Sequence, residues 1–233
     1  MSELFLIIGG DLVVSEMKQE VLHFKTAKRI ATIPVANSYD VDAAIRAASG
    51  WSSFQSLANL LAVSRRVELL QYCAEVVRMR KDELAQFLSL EWADCQKNAY
   101  NEVEVAASIF EEFAKNAIPG LYPEHNNAVA IVGREAHSLI SIVYVLAQCF
   151  AEARPVVCIP GDHTPLTTIN LAYLIREGAE LTEYFSVLLG GGQEIRNRII
   201  NHLGIHNMMY VGGYESIVRK SNPLPCGCLK HEN

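Results

Sequence analysis

Glu135-Ala136-His137 sets a carboxylate and an imidazole in one loop, a pairing suited to acid–base work at the mouth of a cleft. The plainer expectation is a solvated polar loop. Cys226-x-Cys228 with His231 offers soft ligands for zinc. A tetrahedral site wants a fourth ligand and usually a C-x₂-C spacing, so the expectation is an irregular tail with exposed thiols and no metal. His202 and His206 have the spacing of two ligands on one helix face, but Gly204 between them marks a helix-to-strand junction and spoils that geometry. Gly190-Gly191-Gly192 could let a pyrophosphate reach backbone N–H groups ahead of the next helix. It lacks the GxGxxG pattern, and a plain loop is the expectation.

The stretch that positions these groups is Pro155–Leu166, PVVCIPGDHTPL. A short β-branched run ends at Pro160-Gly161, and Thr164 then caps a helix that opens on Pro165. Strand, turn and helix in this order indicate a parallel α/β sheet, whose ligands sit at the strand C-termini.

From Ala128 onward strands and helices alternate: Ala128–Val132, Ser138–Ala151, Val156–Ile159, Pro165–Glu177, Phe185–Leu189, Glu194–His202 and Met208–Val211. The fold class expected is α/β, a Rossmann-like doubly wound parallel sheet, incomplete after its fourth strand. A mostly helical region with a small hairpin precedes it. The hairpin is Leu4–Val14, turning at Gly9-Gly10-Asp11. Arg29–Val35 reads as a strand. Asp40 starts an amphipathic helix that Ser38 caps, with Trp51 and Phe54 beneath it. Val67, Leu70, Cys73, Val76, Leu84 and Phe87 trace one long helix over Val63–Ser89, and Arg78–Lys81 reads as a solvated charge run. Val103, Ala106, Ile109 and Phe113 mark a helix over Tyr100–Asn116, stopped at Pro119-Gly120. Ser216–Lys220 reads as the start of a further helix. The domain reading is one unit over 1–220 and a tail over 221–233.

The chain has 233 residues, half of them hydrophobic and 20% charged, so material for a core is ample. A net charge of −6 without a basic stripe argues against nucleic acid or an anionic membrane as partner. Of six cysteines, Cys73, Cys149 and Cys158 fall in apolar periodic segments, where buried free thiols are the rule. With no signal-like start and no membrane-length apolar run, a reduced cytoplasmic setting is expected.

The order of these segments resembles the aldehyde dehydrogenase superfamily along almost the whole chain. Ile8-Gly9-Gly10-Asp11 is similar to that family's opening hairpin, and DVDAAIRAASG before Trp51 to its first helix. RVELLQYCAEVVRMRKDELAQFLSLEWADC is similar to its long helix, and AVAIVG to the strand before its asparagine loop. VVCIPGDHTPLT resembles Val-Val-Leu-Lys-Pro-Ser-Glu-x-Thr-Pro-Leu-Thr, and HLGIHNMMYVGG the segment ending in Phe-Thr-Gly-Ser. The resemblance implies an NAD(P) domain, a separate catalytic domain and aldehyde oxidation through a cysteine thiohemiacetal.

Residue by residue, the carry-over fails at the chemistry. Ala136 stands where the oxyanion asparagine would be, and cannot donate to a developing alkoxide. Ile159 replaces the lysine that holds the adenosine ribose, and the acidic neighbour survives as Asp162. Only Gly212 remains of Phe-Thr-Gly-Ser, between Val211 and Gly213. The sequence stops before the family's glutamate base and nucleophilic cysteine, so no catalytic residue is assigned and the catalytic domain is expected to be absent. Residues left for a dinucleotide, NAD or NADP, are Ile159, Pro160, Asp162, Gly190, Gly212 and Gly213.

Three readings follow. The first is a non-catalytic homologue acting through a partner or structurally. The second is an NAD(P)-binding module. The third is a subunit of an oxidoreductase whose cysteine lies on another chain. A sheet ending at its fourth strand would expose an edge, which predicts self-association or a covering protein partner.

Overall fold

In chain order the elements are β1 (Leu6–Ile8), β2 (Asp11–Val13), β3 (Lys18–Leu22), β4 (Arg29–Pro34), α1 (Ser38–Gly50), α2 (Val63–Met79), α3 (Lys81–Trp92) and α4 (Gln96–Lys115). Then come β5 (Ala128–Gly133), α5 (Leu139–Ala151), β6 (Val156–Ile159), α6 (Pro165–Gly178), β7 (Phe185–Val187), α7 (Gly192–Ile200), β8 (Ile205–Val211) and β9 (Ile217–Ser221). The computed structural model describes residues 3–23, 25–50, 63–92, 96–116, 128–134, 138–178, 185–212 and 217–221. Trp51, Phe54, Pro119-Gly120, Glu135–His137, Gly213 and the tail with Cys226, Cys228 and His231 lie outside the described residues.

The main sheet has seven strands in the order β2-β1-β7-β6-β5-β8-β9. β7, β6, β5 and β8 run parallel, with Ile131 opposite both Cys158 and Met209. β5 and β6 are buried along their whole length, as expected of parallel strands covered on both faces. α5 carries no charged residue from Leu139 to Ala151 because it lies between the sheet on one side and α2 and α4 on the other. α6 also contacts α2 and α3, whereas α1 and α7 pack together against the strands. The doubly wound α/β sheet preceded by helices and a hairpin is thus the observed fold.

The hairpin turns at Gly9 and Gly10, both at positive φ (55° and 81°), with Ile8 opposite Asp11. Positive φ at both central residues is what a tight two-residue hairpin requires. It joins the main sheet through an antiparallel contact of Ile7 with Val187. The Tyr173 hydroxyl accepts from Phe5 N at 2.6 Å and donates to Phe5 O at 2.8 Å, fixing the hairpin to α6.

Several expectations are corrected. Residues 217–221 form a strand, not a helix, paired antiparallel with β8 from Val211↔Ile217 to Asn207↔Ser221. The free ladder of β8 decides this: it offers backbone partners to a β-branched run too short to sustain a helix. β8 is therefore not an exposed edge, and the sheet is not cut off after its fourth strand. The helix over Val63–Ser89 is two helices, interrupted at Arg80 and continued to Trp92. The cap of α1 is Asn37, not Ser38. Asn37 Oδ1 accepts from Tyr39 N at 2.7 Å, and Asp40 Oδ2 accepts from Asn37 N at 2.8 Å. Arg78 and Lys81 are not simply solvated: Arg78 pairs with Glu104 and Glu111 of α4, and Lys81 with Glu104. β3 was not foreseen; its polar run KQEVL pairs only with β4, in a separate ribbon.

Past α5, Arg154 N donates to Cys149 O at 2.8 Å, a closing bond that requires the left-handed conformation just before it. Ala153 occupies that position at φ 52° and is nearly buried. A Cβ there is strained. Replacing Ala153 by Gly should raise stability by about 0.5–1 kcal/mol, read as a higher urea midpoint at unchanged slope.

Candidate functional site

The parallel strands β5, β6, β7 and β8 end at one edge of the sheet. β5, β6 and β7 step outward in one direction, and α7 then returns the chain to β8 on the other side of β5. Such a reversal of strand order is where open α/β sheets form a ligand crevice. At the reversal, Arg134 N donates to Val211 O at 2.9 Å, carrying the β5–β8 ladder to the very end of the strands.

Ile159 is the last residue of β6, opposite Val132, and 1% exposed. Its side chain belongs to the core and offers nothing to a ligand. Pro160 is buried as well. Asp162 stands at the mouth, and each of its oxygens accepts from Arg196. Arg196 of α7 donates Nη2 to Oδ1 at 2.8 Å and Nη1 to Oδ2 at 3.0 Å. The Arg196 side chain is only 13% exposed, and its Nε is buried without a hydrogen-bond partner.

Gly190 has φ +65°, and a Cβ on it would come within 2.9 Å of Val35 Cγ2. Leu189 O accepts from Ala36 N at 2.8 Å beside it. Gly190 and Gly191 therefore serve a packed joint between the start of α7 and the Val35–Ala36 segment. At Gly192 a Cβ would meet nothing within 4 Å, so the helix start itself is open. Gly212 ends β8 at φ 104°. The structure thus brings Asp162 and Arg196 together at the mouth, removes Ile159 to the core, and leaves the Gly190 turn with a packing role.

The start of α6 is held from the outer helical layer. Pro165 takes the first position, where no N–H is needed. The next donors, Leu166 N and Thr167 N, go to the carboxylate of Glu91 on α3, the latter at 3.0 Å, and the Thr167 hydroxyl donates to it too. Glu91 is 1% exposed, and burial, opposed by these donors, pushes its carboxyl up to about 7.

Cys73, Cys149 and Cys158 are buried and form no disulfide, as expected, and burial pushes the Cys73 and Cys158 thiols up, away from nucleophilic thiolate. His202 Nδ1 accepts from Gly204 N at 3.0 Å, and Nε2 lies 3.7 Å from Asp42, which Arg198 also pairs. Among the described residues no cluster of His, Cys, Asp or Glu has metal-site form, and no helix is long and apolar enough to cross a membrane.

Sequence reasoning missed Glu91 and Arg196. Glu91 had a faint signal, a lone acid at the end of an otherwise apolar helix face. Arg196 had none, because its partner lies 34 residues away.

Strand order, crevice position and helix placement define a doubly wound α/β domain whose ligand mouth is crossed by an ion pair. Residues 13–219 match the model of the aldehyde dehydrogenase family, and the chain belongs to that family. It is 25% identical over 226 residues to 3-sulfolactaldehyde dehydrogenases of Priestia aryabhattai and Priestia megaterium, covering 89% of this chain and 46% of each relative. A betaine aldehyde dehydrogenase from Staphylococcus aureus in complex with NAD+ superposes with a TM-score of 0.81 at 20% identity, over 91% of this chain and 47% of that one. An NAD+ complex of an aldehyde dehydrogenase from Bacillus cereus gives 0.79 at 21% identity, over 91% and 46%. The chain spans about half the length of the curated relatives it matches, 46%.

The Glu91 carboxyl stands above its ordinary value of 4.5, at about 7. Between those values the folded protein keeps a proton that the unfolded chain has lost, so stability falls as pH rises through this window. Wild type should lose up to about 3 kcal/mol more than Glu91→Gln between pH 5 and pH 8. Urea melts of both proteins at the two pH values read this difference, and parallel pH profiles would contradict it.

Proposed function

We propose that this chain is a non-catalytic member of its family, a scaffold that acts through protein contacts and does not hold NAD or NADP in the family manner. The observation that carries this reading is Ile159. The position that resemblance assigns to a ribose-holding lysine is filled by an apolar side chain 1% exposed. Asp162 adds to it, since Arg196 occupies both its oxygens. The residues present therefore do not fit the dinucleotide.

A second reading, a module that binds NAD or NADP, is favoured by one observation. The N-terminus of α7 starts at Gly192 in open space, where backbone N–H groups can meet a phosphate. Glu194 in the same first turn works against it by charge.

Thermal melts decide between the two. With NAD or NADP at millimolar concentration the melting temperature should not move. A stabilisation of about 2–3 kcal/mol, the size expected near 100 times the dissociation constant, would favour the second reading.

Self-association or a protein partner is part of the first reading. Its support is Leu12, Val14 and Met17, exposed by 43, 66 and 54% along and just past the outer strand β2. Light scattering at rising concentration should show a mass above that of the single chain; a constant monomer mass, with no protein recovered on an affinity column carrying the chain, would count against it.

A further inference from the structure

The crevice mouth holds a contact that neither the fold nor its winding requires. Asp162 lies three residues beyond β6, on the loop leading into α6, and Arg196 sits midway along α7. The two are 34 residues apart and join across the strand ends by two parallel N–H···O bonds of 2.8 and 3.0 Å. This fork is the geometry in which a guanidinium recognises a carboxylate most specifically. The guanidinium is docked rather than loosely paired: the Arg196 side chain is 13% exposed and its Nε is sealed from water without a partner. The guanidinium thus bridges the β6–α6 loop and α7.

We propose that Arg196 is an internal plug of the crevice, and that its bridge to Asp162 lowers the crevice's affinity for a dinucleotide. Asp162 is the acid that resemblance sets beside the adenosine ribose. With each oxygen already accepting from Arg196, the edge of the carboxylate that faces α7 is not open to a ribose hydroxyl. The guanidinium takes the place of that sugar. The inference rests on the reading that wild type does not hold NAD in the family manner, and it names the side chain responsible.

Asp162 is 36% exposed, so it can be hydrated once Arg196 is gone. Alanine keeps the helical propensity of α7. Ile159 stays buried in either case, so the ligand gains a face of Asp162 and the vacated volume, not a lysine.

The test is NADH titration of wild type, Arg196→Ala and Asp162→Ala, followed by cofactor fluorescence and by calorimetry. Arg196→Ala should bind NADH at least 10-fold more tightly than wild type. Asp162→Ala, which breaks the same ion pair but removes the acceptor, should gain less than Arg196→Ala. No gain in Arg196→Ala overturns the plug and leaves the non-binding reading intact. Tight binding by wild type with a further 10-fold gain in Arg196→Ala overturns the non-binding reading and keeps the plug. Equal tight binding by both overturns the two together. Should Arg196→Ala fail to fold, Arg196→Gln, which keeps the length but not the fork, is read in the same way.

Discussion

The Glu91 carboxylate on the first turn of α6 is the contact on which the crevice edge depends. A helix start buried between a sheet and a second helical layer cannot give its N–H groups to water. The chain answers with one acid carried in from α3. That contact joins the outer layer to α6, and α6 fixes where the loop after β6 stands. Asp162 lies on that loop, so the ion pair at the crevice mouth inherits its position from a residue on the far side of α6. Burial and hydrogen bonding pull the Glu91 proton in opposite directions, and burial prevails.

The same logic of satisfaction shapes the flanks of the sheet. β1 and β9 close the parallel core with antiparallel partners, and each backbone ladder finds donors and acceptors nearby. Helices with no charge, such as α5, are possible because both their sides are covered. Where cover is thin the chain uses charge: Arg78 and Lys81 tie α2 and α3 to α4 through Glu104, whose carboxyl these cations hold down at about 2. These exposed pairs set the helices' alignment more than their stability.

Much of this architecture was legible because apolar residues recur with one period or the other. β5, β6 and α5 are nearly pure signals, and Gly9-Gly10 named the hairpin turn outright. β3 was silent, since a two-stranded ribbon at the surface needs few apolar residues. Ile217–Ser221 was misread because a five-residue stretch has no period of its own; the unpaired side of β8 decided its form. At the candidate site, Ile159 could be judged from residue type and place. The Asp162–Arg196 bridge could not, because a contact over 34 residues is set by the fold and leaves no local trace. Gly190 reads as a plain loop in the sequence, and its close approach to the Val35 side chain is a contact over 155 residues that leaves no local trace.

The antiparallel course of β9 has a consequence for traffic across the molecule. Ile217 lies level with Val211 at the crevice end, whereas Ser221 lies level with Asn207, near the opposite end of the sheet. The polypeptide thus turns its back on the crevice within one strand, travelling about 13 Å away from it at the usual rise per residue.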